Sequence, residues 1–148
     1  MKWLAVLAFF TGTLLPIQVG VNTTLKNILG NAMQAALTSF LVGTTALLVY
    51  CFAARIPLPK ASALAQAPWW AWLGGIFGAL YIWVSIIVGP RIGAAALLAL
   101  VVAGQMTASL VLDHYALLGM PHNPVTLWRI VGVGLVVAGV IVTVAAGK

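Results

Sequence analysis

The stretch "IGAAALLALVVAGQMTASLVLDHY", residues 92–115, runs for 21 residues, Ile92 to Leu112, without a charge and then meets Asp113, the one side-chain carboxylate in the chain. A helix rises 1.5 Å per residue, so about 20 residues cross a hydrocarbon core of roughly 30 Å. The run reads as a membrane span. Asp113 then has two readings: an acid that couples transport to a proton or cation, or a polar residue where the helix leaves the bilayer. Counted from Gly93, Asp113 lies roughly 30 Å along the helix, which places it at an interface, with Arg129 or Lys60 as candidate ion-pair partners. The coupling role stays open because the chain offers no other side-chain acid.

The rest of the sequence agrees with a lipid solvent. Of 148 residues, 64% are hydrophobic and 5% charged, and the mean hydropathy is +1.16. A water-soluble domain devotes about a quarter of its residues to charge. The charges divide the chain into uncharged runs of 23 residues (Trp3–Leu25), 28 (Asn27–Ala54), 30 (Ala61–Pro90), 21 (Ile92–Leu112) and 18 (Ile130–Gly147). The expected fold is an all-α integral membrane protein: one five-helix domain over residues 1–148, with spans at about 3–21, 31–52, 69–88, 93–112 and 127–146. Lys2 and the apolar stretch after it resemble a secretory signal, but no small-x-small site follows before the polar 18–22 region, so the segment is expected to remain as the first span.

Prolines and glycines punctuate the spans. Pro16 is expected to kink the first helix, and residues 22–26 read as a short polar link. "ARIPLPKASALAQAP" (54–68) and "LLGMPHNPV" (117–125) read as loops, and "GPRIG" (89–93) as a tight basic turn. An odd number of spans puts the two termini on opposite sides.

The basic residues sit singly at span ends, so the net charge of +6 points to lipid headgroups and topology, with no nucleic-acid partner. The face of the N-terminus holds Lys2, Arg55, Lys60 and Arg129; the other holds Lys26, Arg91 and Lys148. A four-to-three split barely sets orientation under the positive-inside rule. The expectation is a chain that inserts both ways round and pairs antiparallel with itself; the competing expectation is one orientation fixed by Lys2 and the early loops. Trp3, Trp69, Trp70, Trp72 and Trp128 gather near the N-terminal face and only Trp83 lies toward the other, so an antiparallel pair gains aromatic belts at both interfaces.

Polar side chains inside spans are costly and therefore informative. Thr11, Gln18 and Asn22 fall within about 40° of one another on the first helix. Asn27, Asn31, Gln34 and Thr38 follow helical spacing in the second, provided that helix begins early enough to include Asn27. Joined by a short link, these stripes meet as a polar substrate pathway or as hydrogen bonds between helices. Gln105 lies roughly 18 Å along the fourth span, near the midplane, with Ser109 and Asp113 continuing its face. Trp83 is an aromatic candidate for the same pathway. Asp113, His114 and His122 have metal-ligand chemistry without a recognised spacing, so no metal and no cofactor is expected. No second acid stands ready for paired-carboxylate catalysis and no Ser or Cys has an evident base, so no enzyme is expected. Cys51 is alone and reads as packing.

Small residues mark close helix approaches: Gly74 and Gly78 in the third span, Ala95, Ala99 and Ala103 in the fourth, Gly134 and Ala138 in the fifth, as helix packing or dimer contact.

With these residues laid out, the chain resembles the drug/metabolite transporter superfamily, and within it a small five-helix bacterial transporter family once known only as a domain of unknown function. The stretches that carry the resemblance are "PIQVGVNTTL" (16–25), "WLGGIFGALYI" (72–82), "VVAGQMTASLVLDHY" (101–115) and "RIVGVGLVVAGVIV" (129–142), the third being the most specific. The family-like positions are Gln18, Asn22, Gly74, Gly75, Gly78, Gln105, Ser109, Asp113, His114, Gly132 and Gly139. The resemblance implies one half of a ten-helix inverted-repeat architecture, an antiparallel homodimer in the bacterial inner membrane, and alternating-access transport of a small polar or amphipathic solute. It names no substrate. Small multidrug transporters, distant four-helix relatives, carry a membrane-embedded glutamate in the first helix; this chain has none. The rival expectation is a non-transporting accessory or assembly subunit whose polar stripes bind another membrane protein.

Overall fold

The computed structural model describes residues 2–146; Lys148, counted above among the basic residues, and Gly147 lie outside the described residues. The described chain is helical: α1 Lys2–Leu29, α2 Ala32–Ala53, a short α3 Ala61–Ala65, a 3-10 turn Trp69–Trp72 leading into α4 Leu73–Ile92, α5 Ala94–His114, a 3-10 turn Leu117–Gly119 and α6 Leu127–Ala146. Among the described residues five helices are long and apolar enough to cross a membrane, Trp69–Ile92 counting as one.

The first helix departs from expectation. Residues 22–26, read as a link, are its continuation, and α1 runs unbroken through Pro16 to Leu29. The reason is local. Thr23 and Thr24 donate their hydroxyls to the carbonyls of Val19 (2.8 Å) and Gly20 (3.1 Å) one turn back, so these polar side chains are satisfied by their own helix. The chain reverses at Gly30, whose φ of 75° is a conformation open to glycine at little cost. Asn31 then caps α2: its side-chain oxygen accepts from the N–H groups of Met33 (2.8 Å) and Gln34 (3.3 Å), satisfying two of the donors a helix start leaves open. Asn27 belongs to α1 and Asn31 to a cap, so the expected stripe through Asn27, Asn31, Gln34 and Thr38 is not one helical face.

The tight turn expected over 89–93 is also shorter than the sequence implied. Gly89, Pro90, Arg91 and Ile92 remain in α4, and the Gly93 N–H reaches the Gly89 carbonyl at 2.9 Å. Pro90 gives up the bond to the Ile86 carbonyl and its ring crowds that carbonyl, yet α4 continues two residues beyond it. The reversal falls on Gly93 alone, at φ 85° and ψ 152°. Both expected loops are present, and they hold the short α3 and the Leu117–Gly119 turn.

Two compact units divide the described chain, one comprising Gln18–Ile87, the other the residues up to Ile17 and from Val88 onward. In the Gln18–Ile87 unit, Ala35 and Ala36 of α2 and Ile86 of α4 are buried together, with Leu25 of α1 and Ile82 and Trp83 of α4 packed against them. In the other unit α5 and α6 pack along each other, burying Ala96 and Leu97 on one and Val133 and Val140 on the other.

Candidate functional site

Within the Gln18–Ile87 unit, α1, α2 and α4 leave a groove of about 340 Å³ lined by Gln18, Ser39, Phe40, Gly43, Thr44, Leu47 and Ile82. Its walls follow from the packing beneath. Ala35 of α2 is fully buried in a cluster with Ile86 of α4, and Ser39 stands one turn further along α2. Further along, Phe40 lies against Gly78 of α4, where a Cβ would meet the ring at 3.4 Å. An amide from Gln18 and hydroxyls from Ser39 and Thr44 then face a space otherwise walled by apolar and aromatic groups. A few polar groups in an apolar concavity orient a small solute without requiring a charge.

Gln18 therefore lines the groove, and the other polar candidates of the sequence lie elsewhere. Asn22, one turn on, is 4% exposed. Trp83 is committed to the Ala35–Ala36–Ile86 cluster, and Asn31 is the α2 cap. Gln34 is exposed at the start of α2, its carbonyl accepting from Thr38 at 2.8 Å. Thr38 lines a different surface depression with Leu41, Val42 and Thr45. The Asn31–Gln34–Thr38 spacing passes over Ser39 and Thr44, which the groove brings to Gln18.

Near the groove α4 carries two further buried polar groups. Ser85 is 4% exposed and donates to the Tyr81 carbonyl at 2.7 Å. The Tyr81 hydroxyl is buried with no hydrogen-bond partner among the described residues.

In the other unit Gln105 and Ser109 are exposed on α5. Asp113, at the end of that helix, is ion-paired with Arg129 in the first turn of α6. The expected pairing is thus present, with Arg129 rather than Lys60. Each charge sits at the disfavoured end of its helix: an acid near the negative C-terminal pole of α5, a base near the positive N-terminal pole of α6. Joining them offsets both. The Arg129 Nη1 also donates to the Asn123 carbonyl at 2.7 Å, and the Asn123 N–H donates to the Asp113 carbonyl at 2.9 Å. His114 accepts the Val125 N–H on Nδ1 at 3.2 Å. The His114 and His122 rings lie 6.5 Å apart. Asp113 and His114 thus both hold the α5–α6 loop, through Arg129 and Asn123 and through Val125.

Of the glycines named for helix contact, only Gly78 touches a neighbour. A Cβ at Gly74, Gly75, Gly132, Gly134 or Gly139 would meet nothing within 4 Å, and Ala138 is exposed.

Five described helices, long and apolar enough to cross a membrane, define an integral membrane protein. The chain matches, over residues 3–142, the family described as "Putative inner membrane exporter, YdcZ". The chain belongs to that family, a five-helix family of the drug/metabolite transporter type, and is a multi-pass protein of the inner membrane. No curated protein and no solved structure matches it.

Proposed function

We propose that two copies of the chain, inserted in opposite orientations, form an exporter that moves a small polar or amphipathic solute by alternating access. The observation that carries this reading is the groove at Gln18, Ser39 and Thr44, polar groups gathered inside membrane spans where each is expensive unless used. Its wall has no charged side chain, which favours a neutral or weakly polar solute over a strongly charged one. The four-to-three division of basic residues supports insertion both ways. Inverted copies interconvert inward-open and outward-open states by rocking, as in transporters built from inverted repeats. The open faces at Gly134, Ala138 and Gly139 on α6 supply a contact between copies.

The test uses single-cysteine variants at Gln18, Ser39 and Gln105 in a Cys51→Ser background, reconstituted in vesicles. Labelling by a membrane-impermeant thiol reagent, slowed by a transported solute, is expected at Gln18 and Ser39. Closure of both positions to water, together with no flux of any candidate solute, overturns the pathway. Reporters active only inside or only outside the cell, fused at the C-terminus, test the dimer: the native chain is expected to report both sides and Lys148→Ala to shift the balance. One orientation in both variants removes self-pairing by inversion.

A further inference from the structure

The segment between α2 and the third span, Arg55 to Trp72, takes no part in the groove. It follows a helix end of unusual cost. The Ile56 N–H bonds the Cys51 carbonyl at 2.9 Å and the Arg55 N–H bonds the Phe52 carbonyl at 3.1 Å, the double bond pattern that closes a helix with a left-handed residue. That residue is Arg55, at φ 53°. Glycine fills such positions without strain, and a long cationic side chain does not. Arg55 stands exposed just past the end of α2. Five residues on, Lys60 is also exposed. The 3-10 turn that opens the third span then shows three indoles, Trp69, Trp70 and Trp72, to the outside, with Leu58 exposed before them.

Among the described residues no side-chain carboxylate pairs with these cations. The chain has a single acidic side chain, and Asp113 is already engaged by Arg129. Anionic groups at the membrane face attract such cations, while indoles sit at the headgroup level beside the first acyl carbons. We infer that Arg55 and Lys60, with Trp69, Trp70 and Trp72, form a binding site for the headgroup of an anionic phospholipid at the end of α2. The inference stands apart from the transport reading, since the segment is outside the groove and its test involves no solute.

The experiment is native mass spectrometry of the purified full chain from micelles holding equal phosphatidylglycerol and phosphatidylcholine. The native chain is expected to retain phosphatidylglycerol in excess. Arg55→Gln and Lys60→Gln are each expected to lower that excess about fivefold, the weight of one basic residue near an anionic surface. Arg91→Gln, at the end of α4, leaves it unchanged. Arg55→Gly separates strain from function: the chain unfolds at a higher temperature in neutral detergent yet loses lipid as Arg55→Gln does. Equal retention of both lipids, native-like retention by Arg55→Gln and Lys60→Gln, or release of the lipid by millimolar inorganic phosphate overturns the assignment.

Discussion

Asp113 and Arg129, 16 residues apart, close the α5–α6 loop through one ion pair while the Arg129 guanidinium holds the Asn123 carbonyl as well. Asp113 and Arg129 are 22% and 33% exposed, so the pair lies between a solvated surface bridge and a buried one. Arg129→Ala leaves a half-buried carboxylate alone at the negative end of α5. The expected loss is about 1–3 kcal/mol. Asp113→Asn should cost less, and the double variant Asp113→Asn with Arg129→Ala less than the sum of the singles. Thermal unfolding of the four species in detergent measures the coupling, and strict additivity would show that the pair contributes nothing.

Gly93 is the hinge on which α4 becomes α5. Its φ of 85° with ψ of 152° lies in a region almost closed to residues with a Cβ. Although a methyl group there meets no neighbour, Gly93→Ala is expected to destabilise by about 1–3 kcal/mol through backbone strain alone. An unfolding temperature equal to that of the native chain would contradict the turn as described.

Gly78 and Gly134 should respond in opposite ways to enlargement. Gly78→Leu drives a side chain into the Phe40 ring and is expected to lower the unfolding temperature of the chain itself. Gly134→Leu meets open space, so the fold should persist while cross-linking between copies falls. If Gly134→Leu cross-links as the native chain does, α6 is not the contact between copies.

The unpartnered Tyr81 hydroxyl makes a prediction of sign. Removing an unsatisfied buried hydroxyl relieves a desolvation cost of about 1–3 kcal/mol, so Tyr81→Phe is expected to raise stability in detergent. A lowered unfolding temperature would mean that the hydroxyl has a bonded partner in the membrane.

The five spans are legible in the sequence because lipid demands long uncharged runs, and the few charges mark their ends. Helix termini are harder to read. Asn22, Thr23 and Thr24 look like loop residues by composition, yet threonine can turn its hydroxyl back onto its own helix, and a spacing rule does not say when it will. Pro90 misleads in the same way, since a proline in a last turn and a proline in a loop read alike. The Asp113–Arg129 pair is within reach because the distance along the helix puts both residues at one interface. Ser39 and Thr44 escape for the opposite reason: amides stand out in an apolar sequence, whereas hydroxyls on α2 are brought to the groove by the packing of Ala35 against Ile86 and of Phe40 against Gly78.

The extension of α1 has one more effect. At 28 residues the helix is about 42 Å long, against a hydrocarbon core of roughly 30 Å. α6, with 20 residues, is about 30 Å and fits upright. The longer helix must lean, or push its Lys26 end into the headgroups. A bilayer of shorter or longer acyl chains changes that lean and leaves α6 almost untouched. Membrane thickness thereby becomes a mechanical input to the helix that carries Gln18.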